Sequence, residues 1–269
     1  KMKIKVSISY ILVLVLISGV LQVFAAGDKS EGLVFYYDYS EINNGKVADQ
    51  SGNSYDGEIE GNIKIVEDPE RGKVAQFESG SYLKLEPEKV KKDGNIPTNA
   101  FSVLAWVNVE NNGAHHAIFN ARSADNTWLT HPEIRVGEAT YRWLLRAAAG
   151  NKIFDMKAGS PKPGKWVHYA GTYDRKKKPG AILFIDGKPV GEAAGDLPVS
   201  ADWDQGARVG FNIDNKRPFT GMMDEVSVWE YGFSQEEIQE IIEKGLDGFL
   251  AVNPVEKLAT TWATVKSSR

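Results

Sequence analysis

Asp224 and Glu225 stand side by side in the run Phe219-Thr220-Gly221-Met222-Met223-Asp224-Glu225-Val226-Ser227-Val228-Trp229, which has the alternation of a strand and ends on an aromatic. A carboxylate carried into an apolar strand is costly to bury unless something binds it. Catalysis by paired acids finds little support here. Asp224 and Glu230 are six residues apart, and Asp202-Trp203-Asp204 lies between a proline-serine turn and a glycine. Neither supplies the close carboxylate pair of glycoside cleavage, although acids drawn from separate strands stay open as an alternative. His168 and Tyr169 are adjacent, so on a strand they point to opposite faces and form no acid–base couple.

A second concentration of chemistry lies in residues 115–146, which carry His115, His116, Arg122, Trp128, His131, Glu133, Arg135, Tyr141, Arg142, Trp143 and Arg146. Sugars are held by an aromatic platform for their C–H faces and by convergent polar donors for their hydroxyls. If Tyr141–Ala147 is a strand, Tyr141, Trp143 and Leu145 share the core face while Arg142 and Arg146 lie on the other. Trp128, beside Asn126 and Thr127, is expected on an exposed loop. The candidate ligand-binding set is Arg122, Trp128, His131 and Arg146.

The elements that must position these groups are strands. The 26 glycines and 11 prolines suit many turns between short strands, and sustained helical periodicity appears once, from Ser234 to Lys244. Ser234 and Glu237 have capping-box spacing at its start. Phe101–Val109 is apolar on both faces and reads as a strand covered on both sides. Further strands are expected at Leu33–Tyr39, within Val74–Leu85, at Ala117–Ala121, Ile134–Val136, Trp166–Tyr173, Ala181–Ile185, Arg208–Phe211 and Met223–Trp229. Asp186-Gly187 is a hairpin turn, and Asp49-Gln50-Ser51-Gly52-Asn53 is a turn cluster whose side chains can bond nearby amides. The expectation is an all-β fold.

Lys1, Lys3 and Lys5 precede an apolar stretch, Ile11 to Leu21, and the Val23-Phe24-Ala25 cleavage pattern, so residues 1–25 are expected to be a secretory signal peptide rather than an anchor. Its removal takes three of the 32 basic residues and none of the 36 acids, shifting net charge from −4 to −7. An acidic chain whose largest basic block is Arg175-Lys176-Lys177-Lys178 is a poor nucleic-acid binder. The absence of cysteine excludes disulfides, thiol catalysis and cysteine metal sites. The mature chain is expected to be secreted, periplasmic or on the cell surface, with no membrane span. Residues 246–269, with Leu258, Trp262 and Val265 at helical spacing, are expected to be a tail.

Several segments, in order, resemble bacterial laminin-G-like jelly-roll domains of the concanavalin A-like lectin/glucanase group. They are Leu33-Val34-Phe35-Tyr36-Tyr37, Gly72-Lys73-Val74-Ala75-Gln76-Phe77, Phe101-Ser102-Val103-Leu104-Ala105-Trp106-Val107, Trp166-Val167-His168-Tyr169-Ala170-Gly171-Thr172-Tyr173-Asp174 with Phe184-Ile185-Asp186-Gly187, and the closing strand and helix from Phe219. The resemblance covers residues 32–245 and implies a two-sheet antiparallel jelly-roll sandwich with one short C-terminal helix. That architecture hosts lectins, hydrolases, lyases and adhesion modules. Related glucanases carry Glu-x-Asp-x-x-Glu on one strand, a pattern missing here, and His168 matches a structural histidine of the family. The resemblance also implies a calcium ion, with Asp224 at the family's metal position and Asp38, or alternatively Glu41, a compensating ligand. Phe77 is nevertheless followed by Glu78-Ser79 rather than Asp-Gly, and the alternative is that Asp224 only accepts amides at a turn. The expected function is an exported, non-catalytic module that binds extracellular carbohydrate or glycosylated surfaces. The alternatives are a protein-binding adhesion or envelope module, then a polysaccharide hydrolase or lyase.

Overall fold

In the computed structural model, which describes residues 29–251, two antiparallel sheets pack face to face. The signal segment 1–25 and Leu258, Trp262 and Val265 of the tail lie outside the described residues.

The first sheet runs Lys188–Ala193, Ala181–Ile185, Val167–Tyr173, Ser102–Val109, Gly221–Trp229, Gly72–Phe77, Ile63–Asp68, with Leu33–Tyr37 also pairing to Gly221–Trp229. Ser102–Val109 sits centrally, as its doubly apolar pattern requires. Val103, Ala105, Val107 and Val109 enter the core between the sheets, while Leu104 joins a second apolar cluster on the outer face. The C-terminal helix Gln235–Leu250 covers that cluster with Ile238, Ile241, Leu246 and Phe249. Ser234 and Glu237 form the expected capping box. The helix runs past the expected end near residue 245: Gly245 breaks the geometry at φ 71°, and a further turn buries Leu246 and Phe249.

The second sheet runs Ile42–Asn43, Lys46–Val47, Gly57–Glu60, Tyr82–Leu85, Ala207–Val209, Phe119–Arg122, Trp128–Thr130, Thr140–Arg146, Glu133–Arg135, His115–Ala117, with Lys152–Ala158 on the other side of Thr140–Arg146. Residues 117–121 divide between two strands rather than forming one. Trp128, expected on a loop, opens a strand. The core between the sheets is rich in aromatics, Trp143 and Trp203 among them. Gly171 lies opposite Trp143, where a Cβ would stand 2.7 Å from the indole; this close approach admits no side chain. Asp186 and Gly187 adopt φ 50° and 70° in the expected hairpin turn. The Asp49 carboxylate accepts the Tyr36, Ser51 and Tyr55 amides, as the turn cluster predicts.

With the helix on the outer face of the first sheet, the outer face of the second is left to carry polar side chains.

Candidate functional site

Strand alternation builds that face. On Thr140–Arg146, Tyr141, Trp143 and Leu145 are buried in the core, while Arg142 and Arg146 point outward and are half-buried. Glu133 pairs with Arg142, Arg135 with His115, and Arg122 with Trp128 across neighbouring strands. The loop 211–218, which follows Ala207–Val209, lies over this surface. The Ile213 amide donates to Asn120 Oδ1 at 3.0 Å, and Arg208 Nη1 donates to the Asn212 carbonyl at 3.2 Å and to Asn215 Oδ1 at 2.9 Å.

Glu133 is the hub beneath the loop. Its side chain is 0% exposed, yet five cationic or imidazole groups surround it: Arg217 Nε at 3.2 Å, His115 Nδ1 at 3.2 Å, His131 Nε2 at 3.5 Å, Arg142 Nη1 at 3.6 Å and Arg135 Nε at 3.7 Å. Neither Glu133 oxygen has an aligned hydrogen bond, so its contacts with Arg217, Arg142 and Arg135 are ion pairs held by charge. Burial pushes the carboxyl up, against the opposing pull of Arg217 and Arg142. Burial, reinforced by Arg142, Arg217 and Arg135, holds the His131 imidazole well below the usual histidine range and keeps it neutral.

Beside this hub is an open cleft of about 640 Å³, lined by Arg122, Asn126, Thr127, Trp128, Arg146, Ala149, Gly150, Asp214 and Lys216. Trp128 forms part of its wall and is held by two contacts. The His131 ring meets it edge-on, centroids 5.3 Å apart at 90°, and the Arg217 guanidinium lies 4.6 Å from its centroid. Of the candidate ligand-binding set, Arg122, Trp128 and Arg146 line this cleft. His131 is not in the cleft lining: it is wholly buried, edge-on to Trp128. Sequence reasoning missed Asp214, Lys216 and Arg217. Their only signal was a polar, turn-forming stretch, Asp214-Asn215-Lys216-Arg217-Pro218, between two strands.

The residues expected to hold calcium have other partners. Arg71 Nε donates to Asp224 Oδ2 at 2.7 Å, and Arg71 Nη2 lies 3.5 Å from Glu225 Oε2. The same guanidinium rests 4.2 Å from the Trp106 ring centroid and 5.8 Å from that of Trp166. Asp38 Oδ1 accepts the Ser40 amide and hydroxyl, each at 3.0 Å. Calcium takes six to eight oxygen ligands, and among the described residues no group of three or more His, Cys, Asp or Glu is arranged to hold a metal. A calcium site at Asp38 and Asp224 does not fit this donor set, because an arginine already supplies the cation. Burial still pushes the Asp224 carboxyl up despite Arg71. Glu225 is pushed up to about 7, by burial first and by the Asp224 charge second. Glu225 Oε1 also accepts the Leu246 amide at 3.1 Å, joining the acid pair to the turn of helix after Gly245.

Two antiparallel sheets, a helix closing one outer face and a polar cleft on the other define a lectin-like β-sandwich. The chain belongs to the concanavalin A-like lectin/glucanases superfamily, whose laminin-G model matches residues 77–239. No curated protein matches it. Among solved structures it is similar to domain 4 of an extracellular arabinanase from Geobacillus stearothermophilus in complex with arabinotriose, at 20% identity and TM-score 0.55, covering 78% of this chain and 98% of that one. It is also similar to the botulinum neurotoxin serotype D ligand binding domain in complex with N-acetylneuraminic acid, at 13% identity and TM-score 0.56, covering 81% of this chain and 52% of that one. A third is the Trypanosoma rangeli sialidase, at 16% identity and TM-score 0.56, covering 78% of this chain and 32% of that one. The chain spans about half the length of the neurotoxin binding domains it matches. These likenesses establish the fold.

Proposed function

We propose that this chain is an exported, non-catalytic carbohydrate-recognition module whose ligand seats on Trp128 in the cleft of the second sheet. The observation that carries the reading is the pinning of Trp128. An indole held in contact with both His131 and Arg217, at the wall of an open cleft, is a platform fixed before any ligand arrives. Preorganised platforms lose little entropy on binding. Arg122, Asn126, Thr127, Arg146 and Asp214 supply donors and acceptors around it. The cleft lining includes one carboxylate, Asp214, where glycoside hydrolysis takes two, which favours binding over cleavage. Structural relatives solved with arabinotriose and N-acetylneuraminic acid lend support from the fold. Export rests on the expected signal segment; among the described residues no helix is long and apolar enough to cross a membrane.

The test is binding of residues 26–269 to a broad oligosaccharide panel, beside Trp128→Ala. Trp128 is half-buried at the strand edge, so the variant is expected to stay folded by circular dichroism while losing glycan binding. Retained binding in Trp128→Ala places the sugar elsewhere, and release of reducing ends by the wild type returns the hydrolase reading.

A further inference from the structure

We infer that the saccharide taken by this cleft is anionic, a sugar bearing a carboxylate or sulfate group met by Arg122 and Arg146. This rests on the cleft being the glycan site proposed above and adds the ligand's charge class.

Arg71, Arg135, Arg142 and Arg217 each pair with a carboxylate. Arg122 and Arg146 pair with none among the described residues, although the chain carries 36 acids. Each is instead oriented by one backbone carbonyl at the cleft rim. Arg122 Nε donates to the Asn126 carbonyl at 2.7 Å, and Arg146 Nη1 donates to the Gly150 carbonyl at 2.8 Å. These bonds fix the two guanidiniums and, among the described residues, leave the Arg122 terminal nitrogens and Arg146 Nη2 without an acceptor. Arg146 Nε is buried with no partner at all. Holding a guanidinium half-buried without a counter-charge is costly, and an anion bound at its free terminal nitrogens offsets that cost.

Register brings the two together. Arg122 is the cross-strand partner of Trp128, and Thr130 is the partner of Leu145, next to Arg146. Arg122, Trp128 and Arg146 therefore stand at the same end of three neighbouring strands, around one cleft. Lys216 adds a third cation from the overlying loop, likewise without a carboxylate partner. The opposing charge is Asp214, the one carboxylate in the cleft lining. Three cations to one carboxylate, in a chain of net charge −4, set this surface against the average of the molecule. A planar guanidinium meets a carboxylate or sulfate through two parallel bonds, whereas a neutral sugar leaves that charge uncompensated.

The experiment titrates the chain by calorimetry with trigalacturonate, with a sulfated oligosaccharide, and with neutral oligosaccharides of matched length. At low salt, an acidic member is expected to bind at least about tenfold more tightly than its neutral counterpart, an advantage that fades as salt approaches about 0.5 M. The two acidic arms separate carboxylate from sulfate. Arg122→Gln and Arg146→Gln should each erase the preference, Lys216→Gln should weaken it, and Trp128→Ala should abolish binding of every sugar. Lys216 is exposed, so its variant reads charge without endangering the fold. Equal binding of neutral and acidic sugars, still dependent on Trp128, overturns this inference and leaves the glycan site standing. Acidic preference that survives both arginine variants also overturns it. Binding of no sugar from any arm removes both readings.

Discussion

The Arg217 guanidinium is shared between a buried carboxylate and a half-buried ring: its Nε lies 3.2 Å from Glu133 Oε1, and its carbon 4.6 Å from the Trp128 centroid. Arg217 holds this position at φ 58°, a left-handed conformation that non-glycine residues keep only when their surroundings enforce it. The Arg217 carbonyl accepts the Ala117 amide at 3.2 Å, so backbone and side chain together hold the guanidinium between Glu133 and Trp128.

Arg217→Met should therefore lower glycan affinity by about 0.5–2 kcal/mol, the range of a cation–π contact, without changing which residues touch the sugar. Calorimetry on a binding saccharide measures this. Unchanged affinity would mean that His131 alone fixes Trp128.

Glu133→Gln leaves Arg142, Arg135 and Arg217 crowded without their shared anion. Removing one member of a buried charge cluster costs about 3–5 kcal/mol. Urea unfolding should show that loss, and adding Arg217→Met should recover part of it because the two sites are coupled. A loss below about 1 kcal/mol would show that water screens the cluster more than its burial implies.

Calcium and chelator should leave the unfolding temperature unchanged, since Arg71 occupies the acid pair. Arg71→Met should instead destabilise by about 3–5 kcal/mol, because Asp224 is left buried and unpaired. A calcium-dependent rise in the wild type would overturn this account of the pair.

The Glu225 carboxyl, raised to about 7 when folded against an unfolded value near 4.5, gives a defined pH signature. In that window the folded state holds the proton more tightly. Its contribution is fully present below the unfolded value and is lost as pH rises through about 7. Glu225→Gln keeps an oxygen for the Leu246 amide and should flatten this loss, by at most about 3 kcal/mol between pH 5 and 8. Parallel stability–pH curves for wild type and variant would rule it out.

Much of the second sheet's working face was legible because alternation is a local property. Trp143 inward and Arg142 and Arg146 outward follow from the strand period alone. The cost of an acid pair in an apolar strand also announced that something must bind it. What binds it was not legible, because Arg71 lies 153 residues from Asp224 and nothing local marks it. His131 misled for a related reason: residue type marks the capacity to bind a sugar, whereas burial beneath Trp128 depends on how strands and loop stack. The loop 211–218 has no period to read, so Asp214, Lys216 and Arg217 became visible only once it lay across its neighbours.

That loop separates two tasks along a few consecutive positions. Arg217 reaches down to Glu133, and Asn212 and Ile213 are tied to the sheet, while Asp214 and Lys216 face the cleft. Substitutions at the facing positions can thus redraw what the surface prefers without loosening its mooring. A lineage, or a selection experiment confined to Asp214 and Lys216, could diversify recognition while the sandwich beneath stays unaltered.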